Sequence, residues 1–227
     1  MLNISNKDII PSPIQEKFNL NIITELSKRG VHYDELPSHL KHGVLLKYAS
    51  IMMPDVVRKG FIKPHYISNP DIIVVNRAPT TKDLIFENLS DIKSPSNRVI
   101  NKIVHELGFN NPYITSITFH ATKSFNEWTF SKLQKEFLLK DLEFDTLDTI
   151  PQVFLLLGND AFNVFFNTDS TVRTLMGDIY VSEYKGAKRL FIPIVHPSYL
   201  LRENDLYKET VLFAKAIRSV LCKIKNK

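Results

Sequence analysis

Apolar residues recur along the chain with two different spacings, and the change falls near residue 70. Before it, apolar positions at helical spacing run through "IQEKFNLNIITELSKRG" (14–30) and "SHLKHGVLLKYASIMM" (38–53), with prolines between the helical pieces. This pattern predicts a mostly helical N-terminal extension over residues 1–70, packed on the domain that follows.

From residue 71 onward, short apolar runs alternate with amphipathic segments. The runs are rich in β-branched and aliphatic residues and are typical of buried strands. They are found in the segments 71–79, 112–118, 151–158 and, after a turn at Lys185–Gly186, at the end of 177–195. The segments between and after them have helical spacing, and helices are predicted over 94–109, 126–144, from 159 to 166 and over 203–224.

Strands that alternate with helices predict an α/β fold for residues 71–227. The expected architecture is a three-layer αβα arrangement around a central, mainly parallel, four-stranded sheet. In open sheets of this kind, ligands bind beyond the carboxyl ends of the strands. The predicted strand exits are 76–79, 116–120, 158–160 and 196–198. This rule places His196 at the candidate site.

Charge and hydropathy narrow the class of protein only a little. The net charge of +5 and the pI near 9.1 suit a protein that binds a polyanion, although many unrelated proteins share them. No apolar run approaches the roughly 18 residues of a membrane span, and the start "MLNISNKDIIPSP" lacks a signal-peptide pattern. We therefore expect a cytoplasmic protein without a membrane partner. Abundant Asn, Lys and Ile suggest an AT-rich genome, for which a virus is one source, and for a viral protein the location is the host cytoplasm.

Cysteine usage excludes several kinds of site. Cys222 is the only cysteine in the sequence. An intrachain disulfide, a cysteine-rich zinc site and an iron–sulfur cluster each need more than one. We therefore expect no metal and no cofactor.

Four motifs follow one another in the order found in a known family. "HPSYLLR" (196–202) matches a His-Pro-Ser leucine-loop motif position by position, and "PQVFLLLGNDAFNVFF" (151–166) matches a strand-to-helix turn. "YITSITFHATK" stands at the place of a "YITNVVK" strand, and "NRAPTTKD" at that of "GEAPG". Over about residues 71–223 the chain resembles the uracil-DNA glycosylase superfamily, most of all its family 4 branch.

The resemblance implies a chemistry for the last motif. Enzymes of this superfamily flip a base out of DNA and break its bond to the sugar. His196 would stabilise the negative charge on the departing base. Pro197–Ser198 would bind DNA phosphates, and Leu200 or Leu201, with Arg202, would form the loop that fills the gap in the duplex. The alternative for His196 is a structural histidine at the end of a strand.

The resemblance also implies a base pocket at the ends of the first two strands of this domain. Ser116 stands where the family has an asparagine that reads the base, and one hydroxyl cannot make the two contacts of an amide. Phe86 is a candidate for the stacking aromatic, with a core position as the alternative. The full set of predicted pocket residues is Asn76, Ala78, Pro79, Phe86 and Ser116.

The first motif departs from the family pattern at its acidic residue. Where the family has Gly-Glu, this chain has Asn76-Arg77. Arginine has no acceptor with which to orient water, and two like charges about 4 Å apart cost on the order of 4 kcal/mol at an effective dielectric of 20. Asp83 and Glu87 are candidates for a relocated catalytic carboxylate, or else residues of a solvated loop. Arg77 would then contact a phosphate.

Two functions are compatible with the sequence. The first is a DNA repair glycosylase that excises uracil or a modified pyrimidine by hydrolysis of the N-glycosidic bond. The second is a catalytically inactive relative that serves as a DNA-binding or replication-accessory factor, such as a viral or phage protein. In that case the N-terminal segment would dock a replication or repair protein. DNA is the expected partner in both, and the sequence leaves open whether the protein is an enzyme.

Overall fold

The computed structural model describes residues 4–6, 24, 27–30, 32, 35–52, 64–78, 94–118, 143–166 and 170–225. Everything that follows concerns these residues. The helices predicted over 14–30 and 126–144 lie for most of their length outside the described residues.

A single mixed sheet forms the centre of the described structure. Its strands are β1 (Ile4–Asn6), β2 (Ile72–Asn76), β3 (Pro112–Ser116), β4 (Val153–Leu157), β5 (Ile179–Tyr184) and β6 (Ala187–Ile194). Their order across the sheet is β1-β5-β6-β4-β2-β3, and β5–β6 is the antiparallel pair among otherwise parallel neighbours. The predicted α/β class and mainly parallel sheet are confirmed, and all four predicted core strands, β2, β3, β4 and β6, are present.

The sheet is wider than predicted, because two more strands extend it beyond β6. Lys185 and Gly186 both have positive φ, 48° and 72°, as a tight hairpin turn requires, so β5 folds back antiparallel on β6. The sequence marked this turn without showing that the residues before it join the sheet. β1 then pairs in parallel with β5, and its three residues are too few to carry a periodic pattern.

Helices flank the sheet, and their bounds are α1 (Ser38–Met52), α2 (Pro95–Leu107), α3 (Gly158–Phe166), α4 (Val172–Leu175), α5 (Pro197–Leu200) and α6 (Asn204–Lys225). The helices α1, α2, α3 and α6 lie where the spacing of apolar residues predicts them, whereas the short α4 and α5 were not predicted from that spacing. α2 begins with proline, whose missing N–H is not needed there, and ends at Gly108 with φ of 90°. Among the helices of the described residues, none has the length and apolar character needed to cross a membrane.

Alternating residues of the strands feed two separate cores, one on each face of the sheet. On β4, Leu155 faces the core formed with α2, α5 and α6, whereas Phe154 faces the core formed with α3 and α4. The second core is strongly aromatic, and the Phe154 ring lies 5.1 Å from Phe191 and 6.0 Å from Phe165, centroid to centroid. The three-layer αβα architecture is therefore confirmed.

A buried polar network joins α1 to the edge strand β3. Tyr113 donates to Glu143 Oε1 at 2.6 Å, and Thr115 donates to the same oxygen at 2.8 Å. Burial, followed by the charge of Glu143 and this hydrogen bond, raises the pKa of Tyr113 well above its usual value. The phenol of Tyr113 therefore stays protonated and donates to Glu143, while its oxygen accepts a hydrogen bond from His42 Nε2, 3.0 Å away.

Candidate functional site

The carboxyl ends of three neighbouring strands meet at one cleft. It has a volume of about 350 Å³ and lies where β2, β4 and β6 end. Arg77 follows β2, Asn159 and Asp160 follow β4, and His196 and Ser198 follow β6. The packing of β4 between β2 and β6 brings these segments together, although they are far apart in the sequence.

The hydrogen bonds around His196 fix the position of its proton. His196 is the N-cap of α5, and its Nδ1 accepts the backbone N–H of Ser198 at 3.2 Å. The Ser198 hydroxyl lies 2.8 Å from the same nitrogen. Because a backbone N–H can only donate, Nδ1 carries no proton, and the neutral ring therefore carries its proton on Nε2.

The surroundings of His196 keep it uncharged. Burial, followed by the positive charges of Arg77 and Arg202, lowers the pKa of His196 to about 4. The imidazole is therefore neutral at pH 7. A neutral ring with a proton on Nε2 is a hydrogen-bond donor that can stabilise an anion in the cleft.

The turn between β4 and α3 packs directly against His196. Gly158 has φ of +85°, which side-chain-bearing residues rarely adopt. A Cβ atom at this position would lie 3.2 Å from His196 Cβ. Glycine is thus favoured here for two reasons, the backbone conformation and the close approach of the imidazole.

Arg77 is held in an ion pair across the cleft. Its Nε lies 2.8 Å from Asp160 Oδ2, and both side chains are partly exposed. The contact is an electrostatic one and not a hydrogen bond, because the Nε–H group does not point at the carboxylate oxygen. The neighbouring Asn76 is engaged locally, because its Oδ1 accepts the Arg77 backbone N–H at 2.8 Å. A carboxylate, that of Asp160 on α3, therefore reaches this edge of the sheet.

The two leucines of the "HPSYLLR" segment lie in different environments. Leu200 is 3% exposed and packs in the core with α2 and α6, whereas Leu201 is 48% exposed. Tyr199 is 52% exposed, and the Arg202 guanidinium lies 4.8 Å from the centroid of its ring. Arg202 is also anchored by a hydrogen bond from Nε to the Ser198 carbonyl oxygen, at 3.0 Å. Pro197, the first residue of α5, is buried.

The three described residues of the predicted base pocket, Asn76, Ala78 and Ser116, do not line this cleft. Ser116 is 1% exposed, and its hydroxyl donates to the Thr118 carbonyl oxygen at 2.6 Å. Ala78 is buried in the aromatic core. Four further candidates, Pro79, Asp83, Phe86 and Glu87, lie outside the described residues.

Most residues that line the cleft were not predicted as site residues, and three of them carry polar groups next to the predicted ones. Asn159 and Asp160 belong to the "LGNDA" turn, and Tyr199 belongs to "HPSYLLR". The strand-exit rule places residues 158–160 at this edge, so the sequence carries a signal for the first two. The resemblance, by contrast, expects the catalytic carboxylate after β2.

Comparison with known protein families gives a match that covers most of the chain. The family model described as "Uracil DNA glycosylase superfamily" matches residues 64–221, which is more than half of the chain. The matched range contains the whole of the cleft. No curated protein matches the chain.

Proposed function

The chain belongs to the uracil-DNA glycosylase superfamily, and from this premise we propose that it excises uracil or a modified pyrimidine from DNA. The reaction is hydrolysis of the N-glycosidic bond of a base flipped out of the duplex. The observation that supports this proposal most strongly is the state of His196. Its ring is neutral, its proton is on Nε2, and it lines the cleft.

His196 acts on the departing base. As the bond to the sugar breaks, negative charge develops on a carbonyl oxygen of the pyrimidine, and the Nε2–H donates to that oxygen. A neutral donor already in place stabilises this charge without reorganisation during the reaction. Removing one such donor costs about 10²- to 10³-fold in rate in other enzymes.

The segment after His196 holds the DNA. To donate to a phosphate, the Ser198 hydroxyl turns away from His196 Nδ1, which keeps its hydrogen bond from the Ser198 backbone N–H. Arg202 contributes positive charge beside it. Leu201 fills the gap left by the flipped base. Leu200 does not take this role, because it is buried in the core and would have to leave it.

The water that completes the hydrolysis needs a carboxylate. Arg77 cannot orient it, since a guanidinium has no acceptor. Asp83 and Glu87 remain the candidates from the sequence, and Asp160 is the carboxylate that the described part of the cleft places beside Arg77. In this scheme Asp160 offsets the charge of Arg77, so that the developing positive charge on the sugar does not face an unpaired cation.

An abasic-site assay tests the proposed activity. Duplexes carrying uracil, 5-hydroxymethyluracil, a G·U mismatch or a G·T mismatch are incubated with the protein and then cleaved at abasic sites with alkali. We expect strand cleavage with at least one of them, and its loss in His196→Ala. No cleavage of any duplex by protein with a cooperative melting transition would overturn the proposal.

A second candidate function is a non-catalytic DNA-binding or replication-accessory protein. The ion pair of Arg77 with Asp160 favours it, since a cation stands where the family has its acid. Residues 1–70 would then form an extension that docks a replication or repair protein, in the cytoplasm of the cell or of a viral host. Equal affinity for damaged and undamaged duplexes, with no abasic product, would support this function over the first.

A further inference from the structure

Asn159 lies on the wall of the cleft, immediately after the glycine that packs against His196. It is the second residue of α3, and its backbone therefore follows directly from the turn at Gly158. Among the described residues that line the cleft, it is the one with a carboxamide side chain. An amide in this place is close to the residue that is proposed to contact the base.

One hydrogen bond fixes the orientation of the Asn159 carboxamide, that is, which side carries the oxygen and which the nitrogen. Its Oδ1 accepts the backbone N–H of Val172, the first residue of α4, at 2.7 Å. Because the partner is a backbone donor, the atom that faces it is the amide oxygen and not the nitrogen. The Nδ2 group is then the free end of the amide, and within the described part of the chain it donates no hydrogen bond.

The residue expected to read the base is not available for this purpose. Ser116 is buried, and its hydroxyl proton is already donated to the Thr118 carbonyl oxygen. A base edge in the cleft must therefore be read by another group. Asn159 is suited to this, because it stands on a helix that is packed in the aromatic core and its amide is already oriented.

We propose that Asn159 is the specificity-determining residue of the site, whose Nδ2–H donates to a carbonyl oxygen on the edge of the flipped base. This inference rests on the proposed glycosylase function and narrows its substrate class. A base with a carbonyl at C4, such as uracil or 5-hydroxymethyluracil, accepts the hydrogen bond at O4. Cytosine carries an amino group at C4, which would leave two donors facing each other.

Binding to uncleavable duplexes separates this role from the chemistry. The probes are duplexes with one 2′-fluoro-2′-deoxyuridine, one 2′-fluoro-2′-deoxycytidine or one tetrahydrofuran abasic analogue, measured by fluorescence anisotropy. We expect the wild type to bind the uridine duplex more tightly than the cytidine duplex. In Asn159→Ala this preference falls by roughly 10- to 100-fold, the usual weight of a good base contact, while affinity for the abasic duplex is unchanged.

Two further variants distinguish reading of the base from support of the fold. Asn159→Asp keeps an oxygen for the Val172 N–H but replaces the donor by an acceptor, so the uridine preference is expected to be lost or reversed. Thr171→Ala removes a neighbouring cleft hydroxyl and is expected to leave the preference unchanged. Thermal melting of each variant controls for folding.

The outcomes also separate this inference from the proposed function. If the wild type prefers the uridine duplex and both Asn159 variants keep that preference, the base is read elsewhere and the inference is overturned. If the wild type distinguishes none of the three duplexes from unmodified DNA, the proposed glycosylase function fails, and the inference fails with it. Loss of the preference in Thr171→Ala as well would show a general distortion of the cleft and would also overturn it.

Discussion

The guanidinium of Arg77 lies 2.8 Å from the carboxylate of Asp160, although the two residues follow different strands of the sheet. Both are partly exposed, so the pair is expected to add no more than about 1 kcal/mol to stability. The ion pair matters mainly because it sets the electrostatic field inside the cleft. Arg77 lowers the pKa of His196, and Asp160 offsets the same charge toward anything bound nearby.

Neutralising Asp160 should slow base excision without weakening DNA binding. Asp160→Asn removes the carboxylate charge beside Arg77, which strengthens the repulsion of the positive charge that develops on the sugar, so we expect the single-turnover rate to fall by roughly 10- to 100-fold. Duplex affinity should be unchanged or higher. Glu203→Gln is the matched control, because Glu203 also lines the cleft but makes no ion pair with the described residues. A variant as fast as wild type would show that the ion pair has no part in the chemistry.

The acid limb of the pH–rate profile should follow His196. With a pKa of about 4 the ring stays neutral down to about pH 5. A proton on Nδ1 would break the hydrogen bond from the Ser198 N–H that orients the ring, so activity should be lost only below that pH. Arg77→Gln removes one cause of the lowered value and should move the titration of His196 to higher pH. Two-dimensional NMR of the histidine ring protons measures it, and a titration near the ordinary value of 6.5 in the wild type would refute the assignment.

The same shift makes folding stability depend on pH. His196 titrates near 6.5 when unfolded and near 4 when folded, so between these values the unfolded chain binds more protons. Relative to the protonated ring, the neutral His196 ring contributes at most about 3 kcal/mol to the free energy of unfolding. This contribution is fully present above pH 6.5 and is lost as the pH falls toward 4. Urea unfolding of wild type and His196→Gln across this range should show the wild type losing stability more steeply. Parallel curves would contradict the shift.

The two adjacent leucines should separate folding from DNA binding. Leu200→Ala removes a buried side chain from the core and should cost about 2–5 kcal/mol of unfolding free energy. Leu201→Ala changes an exposed residue and should alter stability by no more than about 0.5 kcal/mol, but it should weaken affinity for a uracil-containing duplex. Chemical unfolding and anisotropy on both variants check this. Equal duplex affinity in Leu201→Ala and wild type would remove Leu201 from the interface.

A methyl group at Gly158 should displace His196. Gly158→Ala places a Cβ 3.2 Å from His196 Cβ and forces an L-residue into a conformation with φ of +85°, which costs roughly 1–2 kcal/mol. We expect a modest fall in melting temperature together with a larger loss of excision rate. Gly186→Ala provides the comparison, since it also has positive φ but has open space around its Cβ position. If both variants lose the same activity, contact with His196 is not the cause.

The sequence predicted the parts of the fold that depend on local pattern. The apolar runs of β2 and β4 are fully buried strands, and such runs are recognisable because both faces of each strand are covered. The three residues of β1 carry no such pattern, and their place in the sheet depends on β5.

The site was predictable only where one segment carries it. His196 follows from the strand-exit rule together with the motif around it. The pairing of Arg77 with Asp160 depends on β4 lying next to β2, and no local pattern reports that order. Leu200 and Leu201 are equally apolar, and only the orientation of α5 decides which one is buried.

The most direct test of the account is the single-turnover excision rate of His196→Ala on a uracil-containing duplex. His196 is proposed to stabilise the departing base and not to hold the DNA, so duplex affinity should stay within about twofold of wild type. The rate should fall by about 10²- to 10³-fold. A His196→Ala variant that folds, binds the duplex and releases uracil at the wild-type rate would contradict the account.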